Sequence, residues 1–154
     1  MTPIFFDTSV LLAGLIDLGE ASGSAQKVMT AIAEREIRGP QTAWHCCLEF
    51  YAVSTRLPEE YRLSPGDSLR LIEEEILGRF RVYQLAERAR GAFLRSAAND
   101  RTAGGRIYDA HIAEIARLAG GKTVVTDNRR HFTALLRYGI RVLSTEEFTT
   151  EAKL

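Results

Sequence analysis

Four acidic residues lie where a carboxylate could take part in chemistry. Asp7 directly follows a short apolar run, Asp127 follows the β-branched run 122–126, and Asp109 lies in the first turn of a predicted helix. Glu49 lies in a mostly apolar stretch, where burying an unpaired carboxylate would cost several kcal/mol. Glu49 must therefore contact a basic partner, such as an arginine, or face a cavity that contains a cation or water.

Each of these acids also has a structural interpretation. Asp is common after strands and at the start of helices, where the helix dipole favours a carboxylate. If all four converge, they form a site of oxygen ligands, which suits Mg²⁺ or Mn²⁺ and the phosphoryl chemistry that these ions support. The spacing does not show by itself that the four carboxylates meet.

The elements that would position these acids alternate between strand-like and helix-like segments. The predicted strands are 4–6, 80–85, 122–126 and 140–143, and the predicted helices are 8–16, 25–36, 42–56, 65–77, 87–98, 107–119 and 132–137. Residues 146–154 carry no strong pattern and are expected to form a polar tail. This alternation predicts an α/β fold with a mostly parallel sheet and helices on both faces, in which ligands bind at the carboxyl ends of the strands. Asp7 and Asp127 both fall on that edge.

The composition predicts a single globular domain over residues 1–154, with its core within about 3–145. The 20 Lys and Arg residues balance the 20 Asp and Glu residues, which excludes nucleic-acid binding by bulk positive charge. The adjacent Cys46 and Cys47 suit neither a disulfide nor a zinc site, and this indicates a reducing compartment. No apolar run approaches the roughly 18 to 20 residues of a membrane span. We therefore expect a cytoplasmic protein without membrane association.

Several motifs follow one another in a recognisable order: FFDTSVLL, LEFYAVSTR, GGRIYDAHIAEIA, and VVTDNRRHF followed by GIRVLS. In this order and spacing, over about residues 3–145, the sequence resembles the PIN-domain nucleases, and most closely the VapC-type toxins of bacterial toxin–antitoxin modules. The resemblance implies a PIN-like α/β/α sandwich with a central, mostly parallel sheet. It also implies an acidic Mg²⁺ or Mn²⁺ site and cleavage of RNA.

The resemblance also assigns roles to individual residues. Asp7 matches the acid after the first strand, Glu49 the acid of the buried helix, and Asp109 the acid that opens the later helix. Thr8 or Ser9 matches the hydroxyl that commonly supports the first Asp. These three acids are the best-matched members of the expected metal and catalytic site.

The fourth acidic position is ambiguous. In the family, the Thr that closes the strand is often followed two residues later by Asp or Asn. Here Thr126 is followed by Asp127 and then by Asn128. Either Asn128 takes the family position with a neutral oxygen, or Asp127 supplies the charge.

Histidines and arginines offer weaker signals. His45, one turn before Glu49, is expected to be a core residue rather than a base. His111 should point away from Asp109. His131 should lie nearer to phosphate than to metal. Basic residues outnumber acids between positions 79 and 106. Arg106, Arg129 and Arg130 are candidate RNA contacts, although arginines on solvated helix faces are ordinary.

Together these features predict a divalent-metal-dependent endoribonuclease, the toxin of a toxin–antitoxin pair, which binds a cognate antitoxin and could form a homodimer. One alternative is a PIN-like module that binds RNA or protein without catalysis. A phosphohydrolase that forms an aspartyl-phosphate at Asp7 is disfavoured because the usual second acid, two residues later, is Ser9 here.

The first two predicted helices have more apolar side chains than their own packing should need. We expect these side chains to form a groove for an antitoxin helix, a homodimer interface or ordinary core. They are Leu11, Leu12, Leu15, Ile16, Val28, Met29 and Ile32.

Overall fold

Five parallel strands form the sheet at the centre of the fold. They are β1 Ile4–Phe6, β2 Gln41–Ala43, β3 Arg81–Tyr83, β4 Thr123–Val125 and β5 Arg141–Leu143. The computed structural model, which describes residues 2–154, orders them β3-β2-β1-β4-β5. The predicted α/β/α fold with a central parallel sheet is confirmed.

Seven α-helices within residues 2–154 surround this sheet. They are α1 Thr8–Leu15, α2 Gly23–Ala33, α3 Trp44–Ser54, α4 Pro65–Leu71, α5 Arg90–Asn99, α6 Arg106–Leu118 and α7 Thr145–Ala152. α4 continues as the π-helix Ile72–Leu77, and 3₁₀ turns precede α2 and α5 and cover most of the segment between β4 and β5. Right-handed crossovers place α1 to α4 on one face of the sheet and α5 and α6 on the other.

The apolar core is built around β1. Phe5 and Phe6 have no exposed surface, because strands of a parallel sheet are covered on both faces. The ring of Phe6 meets Phe80 and Phe148 edge-on, with centroid distances of 6.1 and 5.8 Å. One aromatic side chain of β1 therefore connects the sheet with the segment before β3 and with the last helix.

The order of the sheet reverses beside β1. The chain moves from β1 to β2 and β3 on one side, then returns to place β4 on the other side of β1. β1 and β4 are paired in register, Phe6 opposite Val125, so the residues that follow them, Asp7 and Thr126, leave the sheet at the same level. Such a reversal opens a crevice at the carboxyl ends of the strands, where α/β proteins bind their ligands.

The prediction of one helix over residues 42–56 is wrong at its start. The chain is extended over Gln41–Ala43 and pairs with β3, and α3 begins only at Trp44. The Thr42 hydroxyl donates a hydrogen bond to the Phe6 carbonyl at 2.8 Å, which ties β2 to β1. A strand of three residues is too short to show a periodicity of two, so the sequence pattern gave no signal for it.

The prediction of a patternless tail over 146–154 is also wrong. α7 begins after Ser144, whose hydroxyl accepts a hydrogen bond from the Glu147 backbone N–H at 3.1 Å. Ser followed three residues later by Glu is a helix-start signature that the polar composition obscured. Phe148 and Thr149 are buried on the inner face of this helix.

Four of the seven apolar side chains of the first two helices belong to the ordinary core, one of the three possibilities that the sequence left open. Leu11, Ile16, Val28 and Ile32 are buried. The remaining three side chains of that set pack against the same core but are partly exposed, so a groove or a homodimer interface at this surface stays a prediction. At Gly14 an added Cβ would lie 2.9 Å from the Ala25 carbonyl oxygen, which shows how closely α1 and α2 approach.

Within residues 2–154 we find no helix with the length and apolar character needed to cross a lipid bilayer.

The packing of α7 can be tested at Phe148. Phe148→Ala should lower the free energy of unfolding by about 3 kcal/mol, because it removes a buried ring and leaves a cavity against Phe6. Thr150→Ala, at an exposed position of the same helix, is the matched control and should change it by less than about 0.5 kcal/mol. Urea unfolding followed by circular dichroism measures both. Equal, small effects would show that α7 does not contribute to the core.

Candidate active site

Asp7 is the buried centre of the candidate site. It is the N-cap of α1, and its backbone N–H donates to the Val125 carbonyl at 3.1 Å, which fixes it between β1 and β4. Its Oδ2 accepts hydrogen bonds from the hydroxyls of Ser9, at 3.1 Å, and Thr126, at 2.8 Å. Only 3% of Asp7 is exposed. Ser9 therefore provides the hydroxyl support expected from either Thr8 or Ser9.

Thr8 instead supports Glu49. Its hydroxyl donates to Glu49 Oε1 at 2.6 Å, a contact between the first turn of α1 and the middle of α3. Nε2 of His45 lies 4.0 Å from Glu49 Oε2, and the charge of Arg56 acts on Glu49 from a greater distance. About a third of the Glu49 side chain is exposed, so its carboxylate faces the crevice and not the closed core.

Asp109 approaches the site from α6. Its Oδ2 lies 2.7 Å from Nδ1 of His131, which belongs to the 3₁₀ turn after β4. We expected His131 near phosphate, and the structure places it against this carboxylate. Sequence spacing gave no signal for the pair, because the contact depends on how α6 packs against the turn after β4.

The three carboxylates lie close enough to affect one another. Burial raises the pKa of Asp7 to about 6, and the negative charge of Glu49 adds to this rise, while hydrogen bonds from Thr126, Thr8 and Ser9 oppose it. Burial also raises the pKa of Glu49, with a further contribution from Asp109. The site therefore accumulates negative charge in a partly dehydrated crevice.

The donor chemistry of the site suits a hard divalent cation. Its ligands would be carboxylate oxygens held by hydroxyl groups. Burial raises the pKa of the neighbouring Cys46 thiol to about 12. Within residues 2–154, however, no three or more His, Cys, Asp or Glu side chains stand close enough together to enclose a metal ion directly. Small side-chain movements or intervening water would be needed to complete a coordination shell.

Two histidines line the crevice beside the acids. The Nδ1 atoms of His45 and His111 are 2.8 Å apart, one on α3 and the other on α6. Burial lowers the pKa of both imidazoles, although the charge of Asp109 acts in the opposite direction on His45. The ring of His111 also packs against Phe93, and His45 joins two helices rather than occupying the core alone.

At the fourth acidic position the two candidates have different contacts. Both carboxylate oxygens of Asp127 accept from the Thr145 hydroxyl at 2.9 Å, and Oδ1 also accepts from the Thr145 backbone N–H at 3.0 Å. The backbone N–H of Asn128 donates to the Thr126 hydroxyl at 3.0 Å. Asp127 thus connects the end of β4 to the start of α7, and the identity of the fourth ligand stays a prediction.

The three arginines proposed as RNA contacts lie in two different environments. Arg129 forms an ion pair with Glu147 of α7. Arg106 and Arg130 both line a cavity next to Asp109. Their positions relative to RNA stay a prediction.

Comparison with known proteins identifies what this chain is similar to. The family model described as "PIN domain" matches residues 3–130. The protein named Ribonuclease VapC40 from Mycobacterium tuberculosis is 30% identical over 123 residues, which cover 80% of this chain and 85% of that protein.

Two solved structures share the fold. FitAcB from Neisseria gonorrhoeae is 18% identical with a TM-score of 0.60, over 93% of this chain and 98% of that chain. VapBC-1 from nontypeable Haemophilus influenzae is 15% identical with a TM-score of 0.59, over 94% of this chain and 98% of that chain.

The raised pKa of Asp7 predicts a pH dependence of stability without metal. Its pKa in the folded chain, about 6, exceeds its ordinary value of 3.8, so the folded state binds the proton more tightly than the unfolded state. Stability should therefore fall as the pH rises from about 4 to about 6. Asp7→Asn should remove this part of the decline and, at pH 7, raise the free energy of unfolding by about 2 to 3 kcal/mol.

Urea unfolding in EDTA at pH 4, 5, 6 and 7 measures this effect. Asp17→Asn is the matched control, because Asp17 is exposed and an amide oxygen can still accept its hydrogen bond from the Gly19 N–H. An Asp7→Asn variant that is less stable than the wild type at pH 7 would contradict the argument and make Asp7 a purely structural acid.

Proposed function

The chain belongs to the PIN-domain family, and from this premise we propose that it is a divalent-metal-dependent endoribonuclease and the toxin of a toxin–antitoxin pair. One observation supports this most directly. Asp7 and Glu49 are held by neighbouring residues of α1, and the charge of Asp109 reaches Glu49 from another helix. The charge of Glu49 contributes to the raised pKa of Asp7, and the charge of Asp109 contributes to that of Glu49, so these acids are close enough to act together on one cation.

Mg²⁺ or Mn²⁺ would be held by Asp7, Glu49 and Asp109, with Asp127 or Asn128 as the fourth candidate. Such a cation, when bound, neutralises the acids, activates water and stabilises the charge of the scissile phosphate. The chain's own groups fix the geometry. Ser9 and Thr126 orient Asp7, Thr8 orients Glu49, and His131 holds Asp109.

The name of the relative VapC40 supports RNA as the substrate. We also propose that a cognate antitoxin binds the chain, because an active ribonuclease among cellular RNAs must be restrained. The same action on RNA makes the cytoplasm the expected compartment. A homodimer would be compatible with these roles and stays a prediction.

One observation favours a second candidate, a PIN-like module that binds RNA or a protein without cleaving. Across residues 2–154 the acids do not form a compact group that encloses a metal ion, and Asp109 is engaged by His131. In that case the carboxylates would have only structural roles, and divalent ions would not affect the chain.

Neutral replacements of the three acids distinguish these candidates. Asp7→Asn, Glu49→Gln and Asp109→Asn should each lower Mn²⁺-dependent cleavage of RNA by about 100-fold or more, because each removes a charge needed to hold the cation while keeping the side-chain shape. Cleavage of labelled RNA with and without EDTA measures this loss, and calorimetry measures Mn²⁺ binding. Wild-type cleavage in all three variants would exclude the assignment.

Asp127→Asn belongs in the same series because it tests the fourth position. Since both of its carboxylate oxygens contact Thr145, we expect this variant to retain Mn²⁺ affinity and to lose about 1 kcal/mol of stability at the start of α7. A loss of Mn²⁺ binding equal to that of Asp7→Asn would instead make Asp127 a ligand.

The toxin proposal is tested in cells. Expression of the wild-type chain alone should arrest growth, and co-expression of the reading frame just upstream of its gene should restore growth and give a complex that co-purifies. The Asp7→Asn variant is the control and should not arrest growth. Normal growth with a folded, Mn²⁺-binding wild-type chain would leave a PIN-domain nuclease with another role.

A further inference from the structure

A cavity of about 370 Å³ lies beside the acidic crevice, between α5, α6 and the 3₁₀ turns after β4. Four arginine side chains line it: Arg101, Arg106, Arg130 and Arg137. Asp109 and His131 form the wall that the cavity shares with the crevice. A polymer with phosphate groups along its backbone could therefore contact the crevice and the cavity at the same time.

The arginines of this cavity differ from five others in the chain. Arg70, Arg79, Arg117, Arg129 and Arg141 each form an ion pair with an acidic residue. The four in the cavity have no acidic oxygen within 4.0 Å anywhere in residues 2–154. Eight further arginines of residues 2–154 also lack an ion pair, so what distinguishes these four is that they line one cavity, where their charges can act on one anion.

The acids on the cavity wall do not cancel this charge. Glu114 is paired with Arg117, which is not part of the lining. Asp109 contacts Nδ1 of His131, whose Nε2 accepts a hydrogen bond from Arg130, so Asp109 keeps its charge. Asp100 and Asp109 thus stand against the four arginines. The cavity therefore keeps an excess of positive charge, although the whole chain is neutral.

The backbone at Arg101 fixes where this side chain leaves the end of α5. Arg101 has φ +56°, in the left-handed region that favours glycine, and it ends α5 with the hydrogen bonds of a Schellman turn, Arg101 N–H to Ala98 and Thr102 N–H to Ala97. A glycine is therefore accommodated there without strain. Arg35 and Lys153 have the same backbone conformation, so it is the place of Arg101 in the cavity lining, and not its φ, that points to a role for its side chain.

We propose that this cavity binds a backbone phosphate of the RNA, next to the scissile phosphate, with Arg101 as a principal contact. The inference rests on the proposed nuclease function and names where its substrate binds. The acidic crevice by itself repels a polyanion, so a neutral protein needs a local cationic surface to bring RNA to it. Guanidinium groups suit this role because they form paired hydrogen bonds with phosphate oxygens.

The chain offers a matched pair of variants to test this site. Arg101→Gly removes the proposed contact and relaxes the backbone, so it should not unfold the chain. Arg35→Gly makes the same change at an exposed residue with φ +64°, which follows α2 and lies at the opposite edge of the sheet. The two variants share the loss of one charge and the gain of one glycine, and they differ only in position.

Binding of a short labelled single-stranded RNA is measured in EDTA over a series of KCl concentrations. Arg101→Gly should weaken binding roughly fivefold or more at low salt and reduce the slope of log K against log salt by about 0.7, the value for one lost phosphate contact. Arg35→Gly should keep both the affinity and the slope of the wild type. Equal behaviour of the two variants would overturn the proposal.

Two competitors identify the ligand. Inorganic phosphate and poly-glutamate are each titrated against wild type and Arg101→Gly. A variant that loses affinity for free phosphate but not for RNA would make this a small-anion site, and one that loses affinity only for poly-glutamate would make it a site for an acidic protein. Either result overturns RNA binding here.

Cleavage assays separate this proposal from the nuclease function. If the wild type cleaves RNA and Arg101→Gly cleaves it equally well, the phosphate site is refuted and the nuclease function is not. RNA binding that depends on Arg101 without any metal-dependent cleavage would support the site and refute the nuclease function. A wild-type chain that neither binds nor cleaves RNA would refute both.

Discussion

The burial of Asp7 at the carboxyl end of β1 is the constraint on which the rest of the site depends. A dehydrated carboxylate is costly, and this cost is visible in a pKa raised to about 6. Two hydroxyl donors, Ser9 and Thr126, offset part of it. Thr126 can do so only because β4 pairs with β1 in register. The pairing of these two strands therefore brings the Thr126 hydroxyl to the buried carboxylate.

The surroundings of Asp7 explain why neighbouring positions carry hydroxyl groups rather than more acids. Thr8 directs its hydroxyl to Glu49, and Ser9 directs its own to Asp7 while accepting from the Asp127 N–H. A second acid at position 9 would add repulsion where burial already raises the pKa of Asp7. The chain instead distributes its negative charge over α1, α3 and α6, and four of its unpaired arginines line the cavity beyond Asp109.

Much of the fold could be predicted from the sequence. Four elements have a sequence pattern that can be recognised from residues close together in the chain. They are the apolar strands β1 and β4, the helix that starts near Ser64, and the amphipathic helix α6. The sequence also singled out Asp7, which ends a strand, and Glu49, which lies in an apolar stretch, as candidate ligands; their role in binding metal stays a prediction. By contrast, β2 was missed because three residues carry no period, and α7 because its polar composition hid the Ser144 cap.

The contacts that complete the site could not be predicted because they join distant parts of the chain. His131 and Asp109 come from different elements, and so do Arg101 and Arg130. Which partners a side chain finds is decided by how α5 and α6 pack on the sheet, and residue spacing does not record this. The unusual φ of Arg101 likewise appears only in the folded backbone.

Helix α7, which the sequence pattern did not predict, supports the candidate site. Thr145 binds both oxygens of Asp127, and Glu147 pairs with Arg129, so the first turn of α7 fixes both ends of the segment 127–129. His131, which contacts Asp109, follows directly in the same 3₁₀ turn. Phe148 anchors the helix against Phe6 of β1, one residue before Asp7. Helix α7 thus packs against β1, which precedes Asp7. It also forms hydrogen bonds and an ion pair with the loop whose His131 contacts Asp109. The C-terminal segment is therefore part of the framework of the candidate site.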